Sequence, residues 1–155
     1  MEGIIFIGIQ GSGKSQFYRE RFFNSHVRIS MDLLKTRNRE RRLLEWCLEL
    51  EQPFVIDNTN PTVDDRKRYI EPARAGGYRI IGYFFEVEIA LVLKRNELRQ
   101  GAEKVPKVGI FATRKRMQPP TLGEGFDELY IVKSGEDEHG FSVEKLSHIA
   151  IGSQL

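Results

Sequence analysis

Residues 8–15 read G-I-Q-G-S-G-K-S, an instance of G-x-x-x-x-G-K-[ST]. Residues of these types at this spacing hold phosphate. Gly11 and Gly13 let the backbone close into a concave nest whose N–H groups converge on phosphate oxygens. Lys14 sets a cation on the terminal phosphates, and the Ser15 hydroxyl is a ligand for Mg²⁺. A helix that starts here adds the positive end of its dipole. The expected contacts of a nucleoside triphosphate are therefore Gly11, Ser12, Gly13, Lys14, Ser15 and Gln16. The alternative is a chance glycine turn. The apolar run Ile4-Ile5-Phe6-Ile7 directly before it argues against chance, because the motif belongs between a buried strand and a helix.

Phosphoryl transfer spreads charge over the moving group, so further cations are wanted near it. Arg95 and Arg99 stand four residues apart, on one face of an amphipathic stretch that runs into a glycine-containing loop at 100–104. They are either arginines of a mobile lid at about 96–104 or the solvated end of a helix. Asp57 follows an apolar run at 53–56 and opens Asp57-Asn58-Thr59-Asn60-Pro61. An Asp in that place either holds Mg²⁺ through water, as a Walker B carboxylate does, or is a plain turn former. Ser30-Met31-Asp32 stands at the C-terminal end of a short strand at 27–29, where open parallel sheets collect ligands. Asp32 in that place also reads as a helix cap. His26, His139 and His148 have no ligand spacing, so they read as structural or surface residues and no zinc site is expected.

These residues need an alternation of strands and helices to carry them. Strands are expected at 4–7, 27–29, 53–56, 78–86 and 129–132. Helices are expected from the phosphate loop to Phe23, over 33–51, from Thr62 to Gly76-Gly77, over 88–99 and over 106–117. Phe17 and one of Phe22 or Phe23 face inward. In 33–51, Leu33, Leu34, Leu43, Leu44, Cys47, Leu48 and Leu50 supply apolar positions, and Trp46 reads as packing. Arg37, Arg39, Arg41 and Arg42 read as a solvated face. Thr62 is a candidate cap, and Pro72 is expected to kink or break its helix near Glu71. Residues 135–140 form an acidic loop, and the tail after it, with Phe141, Val143 and Leu146, is the least legible stretch. The alternation implies a three-layer α/β domain with a mainly parallel sheet of about five strands.

A length of 155 residues suits one domain spanning 1–155. The net charge of +2 is too small to announce a nucleic-acid partner by itself. The lone Cys47 allows no intramolecular disulfide, which suits a cytoplasmic setting. No membrane span and no targeting segment are expected.

The chain resembles the 5′-kinase domain of the polynucleotide kinases, both the phage enzyme and the mammalian kinase–phosphatase, from residue 4 to about 133. Three stretches carry the resemblance beyond the phosphate loop. They are Ile56-Asp57-Asn58-Thr59-Asn60-Pro61 with Arg66, Tyr69, Ala73-Arg74-Ala75 and Gly77; Arg95-Asn96 with Arg99 and Val105-Pro106; and Pro120-Thr121-Leu122 with Glu124-Gly125-Phe126. It implies a P-loop kinase fold using ATP and Mg²⁺. Lys14 and Ser15 would serve both, and Asp32 would be the carboxylate that activates an acceptor 5′-hydroxyl. Arg99, with Arg95 near it, would reach the donor phosphates. Asp57 and Thr59 would lie along the acceptor strand. The resemblance also implies that Arg116 to Thr121 lie beside the adenine, although the same residues read as a plain proline turn. The phage enzyme has arginine three residues after its base, whereas this chain has Lys35, which keeps the charge and loses the bidentate fork. Arg37 or Arg39 would have to compensate. No phosphatase motif D-x-D-x-T/V is present. A 5′-OH nucleic-acid end is thus the expected partner. A small-molecule kinase for a sugar, nucleoside or antibiotic, or a nucleotide-binding regulatory module, would use the same scaffold. The absence of N-K-x-D counts against a GTPase switch.

Overall fold

The run Ile4-Ile5-Phe6-Ile7 has no polar position to show to water. The computed structural model, which describes residues 1–101, 104–134 and 140–146, buries all four in a central strand, β1 (Glu2–Ile7). The chain continues through α1 (Lys14–Arg21), β2 (Val27–Ile29), α2 (Met31–Leu34), α3 (Arg37–Glu49), β3 (Phe54–Ile56), α4 (Val63–Ala75) and β4 (Arg79–Glu86). Then come α5 (Ile89–Glu97), α6 (Lys107–Arg116), a 3₁₀ turn at Leu122–Glu124, β5 (Glu128–Ser134) and β6 (Phe141–Leu146). The strands form one sheet in the order β2-β3-β1-β4-β5-β6, parallel except for β6.

Strand alternation divides the core in two. Ile5 and Ile7 join Ile29, Leu44, Cys47, Ile56 and Tyr69 under α3 and α4. Ile4 and Phe6 face the other way, against Phe17, Phe22, Val55 and Phe85 under α1. The result is the expected three-layer α/β architecture. No helix among the described residues is long and apolar enough to cross a membrane.

Four local expectations are corrected. The sheet has a sixth strand, β6, where the tail was illegible. The stretch 33–51 is two helices: Lys35 takes a left-handed φ of 69° and ends α2, and the Thr36 hydroxyl accepts from Arg39 N to start α3. Leu33, Leu50 and Trp46 are consequently exposed rather than packed. Pro72 does not break α4, which runs through it. The helix is held by a Thr62–Asp65 capping box and by the buried face Arg66, Tyr69, Ile70 and Ala73, which outweigh one missing hydrogen bond. Phe22 is the inward aromatic, and Phe23 is exposed. His26 is structural, with Nε2 2.8 Å from Glu2 Oε1. His139, His148, the acidic loop up to residue 139 and two residues of the expected lid, Ala102 and Glu103, lie outside the described residues.

Arg66 is fully buried, with 0% exposure. Its Nε and Nη2 donate to the two carboxylate oxygens of Glu124 at 2.7 and 3.1 Å, and Nη1 donates to the carbonyls of Asn60 and Pro61. This fork ties α4 to the turn after β3 and to the 3₁₀ turn. Removing one partner strands the other charge. Glu124→Ala is expected to destabilise the fold by about 3–5 kcal/mol, measured by urea unfolding. A loss below about 1 kcal/mol would show that water reaches the guanidinium.

Candidate functional site

The phosphate loop leaves β1 and turns on two glycines with positive φ, Gly11 at 77° and Gly13 at 99°. Both values belong to the left-handed region that favours glycine. A Cβ at Gly13 would also lie 2.8 Å from the Phe141 ring, so β6 packs against the loop. Gly13 provides no side-chain cap to α1, and the first amides of that helix stay open for an anion.

Lys14 is buried at the start of α1. Its Nζ donates to the carbonyls of Gly8 and Ile9, each at 2.8 Å, and lies 3.4 Å from Ser12 Oγ. Burial lowers its pKa from the ordinary 10.5 to about 8, against the pull of Asp57 and Asp32, and Arg99 lowers it further. Ser15 Oγ donates to Asp57 Oδ2 at 3.0 Å. Arg28 closes a ring: its Nε donates to the same Asp57 oxygen at 2.8 Å and its Nη2 to Ser15 Oγ at 3.2 Å. Asp57 therefore lies against the phosphate loop. Ser15 Oγ and the buried Asp57 carboxylate are hard oxygen donors of the kind Mg²⁺ prefers. The nest and Lys14 fit a triphosphate in the same way.

Arg95 Nη1 donates to the Gly11 carbonyl at 3.1 Å and Nη2 to Ser134 Oγ at 3.2 Å. Burial and the neighbouring Arg99 lower the Arg95 pKa. Arg99 also reaches the loop, with Nη2 3.9 Å from the place a Cβ would take on Gly11. Both arginines of the spacing argument thus meet at the phosphate loop. The buried Asn96 between them bonds both backbone groups of Val105, at 2.7 and 2.9 Å, and closes the base of the loop after α5.

Asp32 occupies the first turn of α2 and is exposed. The cap is Ser30, whose Oγ accepts from Asp32 N at 3.3 Å. The Asp32 carboxylate has no hydrogen-bond partner among the described residues, yet it is close enough to support the charge on Lys14. Lys35 and Arg39 are exposed, and Arg39 reaches back to the Leu34 carbonyl. Arg37 Nη1 donates to Glu40 and to the Tyr69 hydroxyl, and the rest of its side chain is exposed. The Thr59 carbonyl accepts from Gly8 N at 3.0 Å. Gln16 is exposed on α1 and donates to Glu20. Arg116, at the end of α6, stands 3.7 Å from Asp65. The connector beyond it is docked on the start of α4 through Gln118, which bonds Pro61 O and Val63 N.

Sequence reasoning missed Arg28, Asn58 and Gln10. Arg28 had a signal: Val27 and Ile29 face the α3–α4 core, so the residue between them must point to the α1 side, where Asp57 emerges from the next strand. Gln10 Nε2 donates to Thr113 Oγ1 at 2.9 Å, and its Oε1 is buried with no partner among the described residues.

The family model for the AAA domain matches residues 30–120, a span that begins after the phosphate loop. A bifunctional polynucleotide phosphatase/kinase of Schizosaccharomyces pombe is 29% identical over 132 residues, which cover 83% of this chain and 32% of that protein. A protein of Acanthamoeba polyphaga mimivirus, provisionally given the same name, is 33% identical over 138 residues, covering 84% of this chain and 33% of its own. The chain thus spans about a third of the length of these curated relatives. Among solved structures, Kti12 of Chaetomium thermophilum in complex with ADP-AlF3 superposes with a TM-score of 0.66 at 14% identity, over 88% of this chain and 91% of that one. That likeness is one of fold.

Proposed function

The chain belongs to the AAA-domain family, and from that premise we propose that it is an ATP-dependent kinase acting on the 5′-hydroxyl of a polynucleotide, DNA or RNA. The observation that carries the reading is Asp32. Its carboxylate has no hydrogen-bond partner among the described residues, it stands at the C-terminal end of β2, on the sheet edge from which the phosphate loop also leaves β1, and it is within electrostatic reach of Lys14. The names of the two curated relatives supply the acceptor class.

In this reading the amides of residues 11–16 cradle the ATP phosphates, and Lys14, Arg95 and Arg99 neutralise the charge that spreads over the transferring group. Ser15 would hold Mg²⁺ directly and Asp57 through Ser15 or water. When bound, Mg²⁺ would supply charge neutralisation to the phosphates. Asp32 orients the acceptor hydroxyl and takes its proton late, as a loose transition state requires. Lys35, Arg39 and Thr59 face the acceptor strand, and Arg116 to Thr121 lie beside the adenine. The segment 96–104 serves as the lid that closes over ATP. A 5′-hydroxyl acceptor of this kind would suit a role in nucleic-acid repair.

An acceptor screen with γ-labelled ATP tests the reading, using 5′-OH oligonucleotides, nucleosides and sugars. Label is expected on the oligonucleotide. A single strand held at three phosphates should lose affinity with salt at a log–log slope of about −2. Label on a sugar or nucleoside, with none on the oligonucleotide, would overturn it.

A further inference from the structure

Residues 57–59 use three consecutive positions to hold three different parts of the site. The Asp57 carboxylate accepts from Ser15 Oγ. The Thr59 carbonyl accepts from Gly8 N, at the other end of the phosphate loop. Between them, Asn58 Oδ1 accepts from Met31 N at 2.9 Å, on the residue immediately before Asp32. The two leading amides of α2 are thus capped from two sides, Met31 by Asn58 and Asp32 by Ser30.

The Asn58 amide cannot turn over. Its Nδ2 donates to Glu40 Oε2 at 2.9 Å and to the Tyr69 hydroxyl at 3.2 Å. A backbone N–H only donates, so the oxygen must face Met31 and the NH₂ end must face Glu40. Glu40 is 2% exposed and is itself held: Tyr69 OH donates to Oε2 at 3.1 Å, and Arg37 Nη1 donates to Oε1 at 2.8 Å. Burial and the Glu40 carboxylate hold the Tyr69 phenol above its ordinary range, which keeps the hydroxyl protonated as a donor. Every polar atom of this buried cluster that faces Asn58 has a partner, so the network has one arrangement.

We propose that Asn58 is a positioning residue that sets the place of Asp32 relative to the phosphate loop. α2 is four residues long and ends in a left-handed Lys35, so it has little of its own to hold it. The rigid end of β3 holds both the donor loop and the turn that carries the base, and Asn58 is the side chain that joins them. Glu40 and Tyr69 act behind it by fixing its orientation. This rests on the reading of Asp32 as the base.

A double-mutant cycle on the full chain tests it, with a 5′-OH oligonucleotide as acceptor. Asn58→Ala is expected to lower kcat about 10–10²-fold, as a base misplaced by an ångström would. The Kd for ADP should stay within about twofold. In the Asp32→Asn background, Asn58→Ala should cause little further loss, because the residue acts through Asp32. Tyr69→Phe, which keeps the ring and removes one support of the amide, should show a smaller loss and the same non-additivity, and it serves if Asn58→Ala does not fold. Losses that multiply in the Asp32→Asn background, or Asn58→Ala turning over at the wild-type rate, would overturn the positioning role and leave Asp32 as the base. Asp32→Asn at the wild-type rate would overturn the reading beneath it.

Discussion

Lys14→Ala is expected to lower kcat for phosphoryl transfer by roughly 10³-fold or more, with the fold intact. The ammonium is the one buried cation of the phosphate loop, held on the Gly8 and Ile9 carbonyls a short distance from the open amides of α1. Alanine leaves those amides in place, so nucleotide would still meet the nest but without the charge that the transition state needs. Stability should change little, because two effects oppose. Two carbonyls lose a donor, and a desolvated charge is removed. The pH dependence separates them. The Lys14 pKa is about 8 in the fold against an ordinary 10.5, so between those values the unfolded chain binds the proton more tightly. The contribution of Lys14 to stability therefore rises with pH across that window and is flat below it. The wild type should gain on the alanine variant from about pH 8 to 10.5, followed by urea unfolding. Its affinity for ATP should weaken as pH rises through about 8, while that of the variant should not share this step. A fully active Lys14→Ala, or one that does not fold, would contradict the assignment.

The second large effect is expected at Asp32. Asp32→Asn keeps the shape and removes the charge, and kcat should fall by roughly 10²–10⁴-fold. The structure sharpens the control. Ser30 caps α2, so the carboxylate is not needed for the helix, and an exposed substitution there should move stability by no more than about 0.5 kcal/mol. ADP binding should also be unchanged, since the nest lies on other residues. Transfer to a 5′-OH oligonucleotide at close to the wild-type rate would remove Asp32 from the chemistry.

The donor half of the site was legible because its chemistry is local. A nest needs glycine at fixed offsets, and Lys14 and Ser15 follow in the same motif. Arg95 and Arg99 were legible as a pair through helical spacing, and the fold brings both to Gly11. What failed to show was what depends on partners far along the chain. Arg28, Asn58 and Glu40 look like ordinary polar residues until β2, β3, α3 and α4 are assembled around them. The leucines that suggest one helix over 33–51 lie on both sides of a break that Lys35 and Thr36 impose locally. The sixth strand was hidden because it is an edge strand: Phe-Ser-Val-Glu-Lys-Leu has a weak alternation and mostly exposed positions. Its two anchors touch partners far away in sequence: Phe141 packs on Phe17 and Gly13, and Leu146 packs against the α3–α4 core.

The place of β1 has a consequence for how the protein comes to be. Its first partners are distant: Gly3 pairs with Phe54 on one side and with Ile80 on the other. Both pairings close long loops, and the entropy of closure is lost before any contact rewards it. On a ribosome adding about 5–20 residues per second, β4 follows β1 by an interval on the order of ten seconds. Until β3 emerges Ile4-Ile5-Phe6-Ile7 has neither sheet neighbour to cover it, and until β4 follows it has only one, so the anion nest that follows has no complete frame to hold its shape. The strand that ends as the most sheltered part of the molecule is, during synthesis, its longest-waiting adhesive segment. The nascent chain should therefore be most in need of a chaperone before residue 86 emerges.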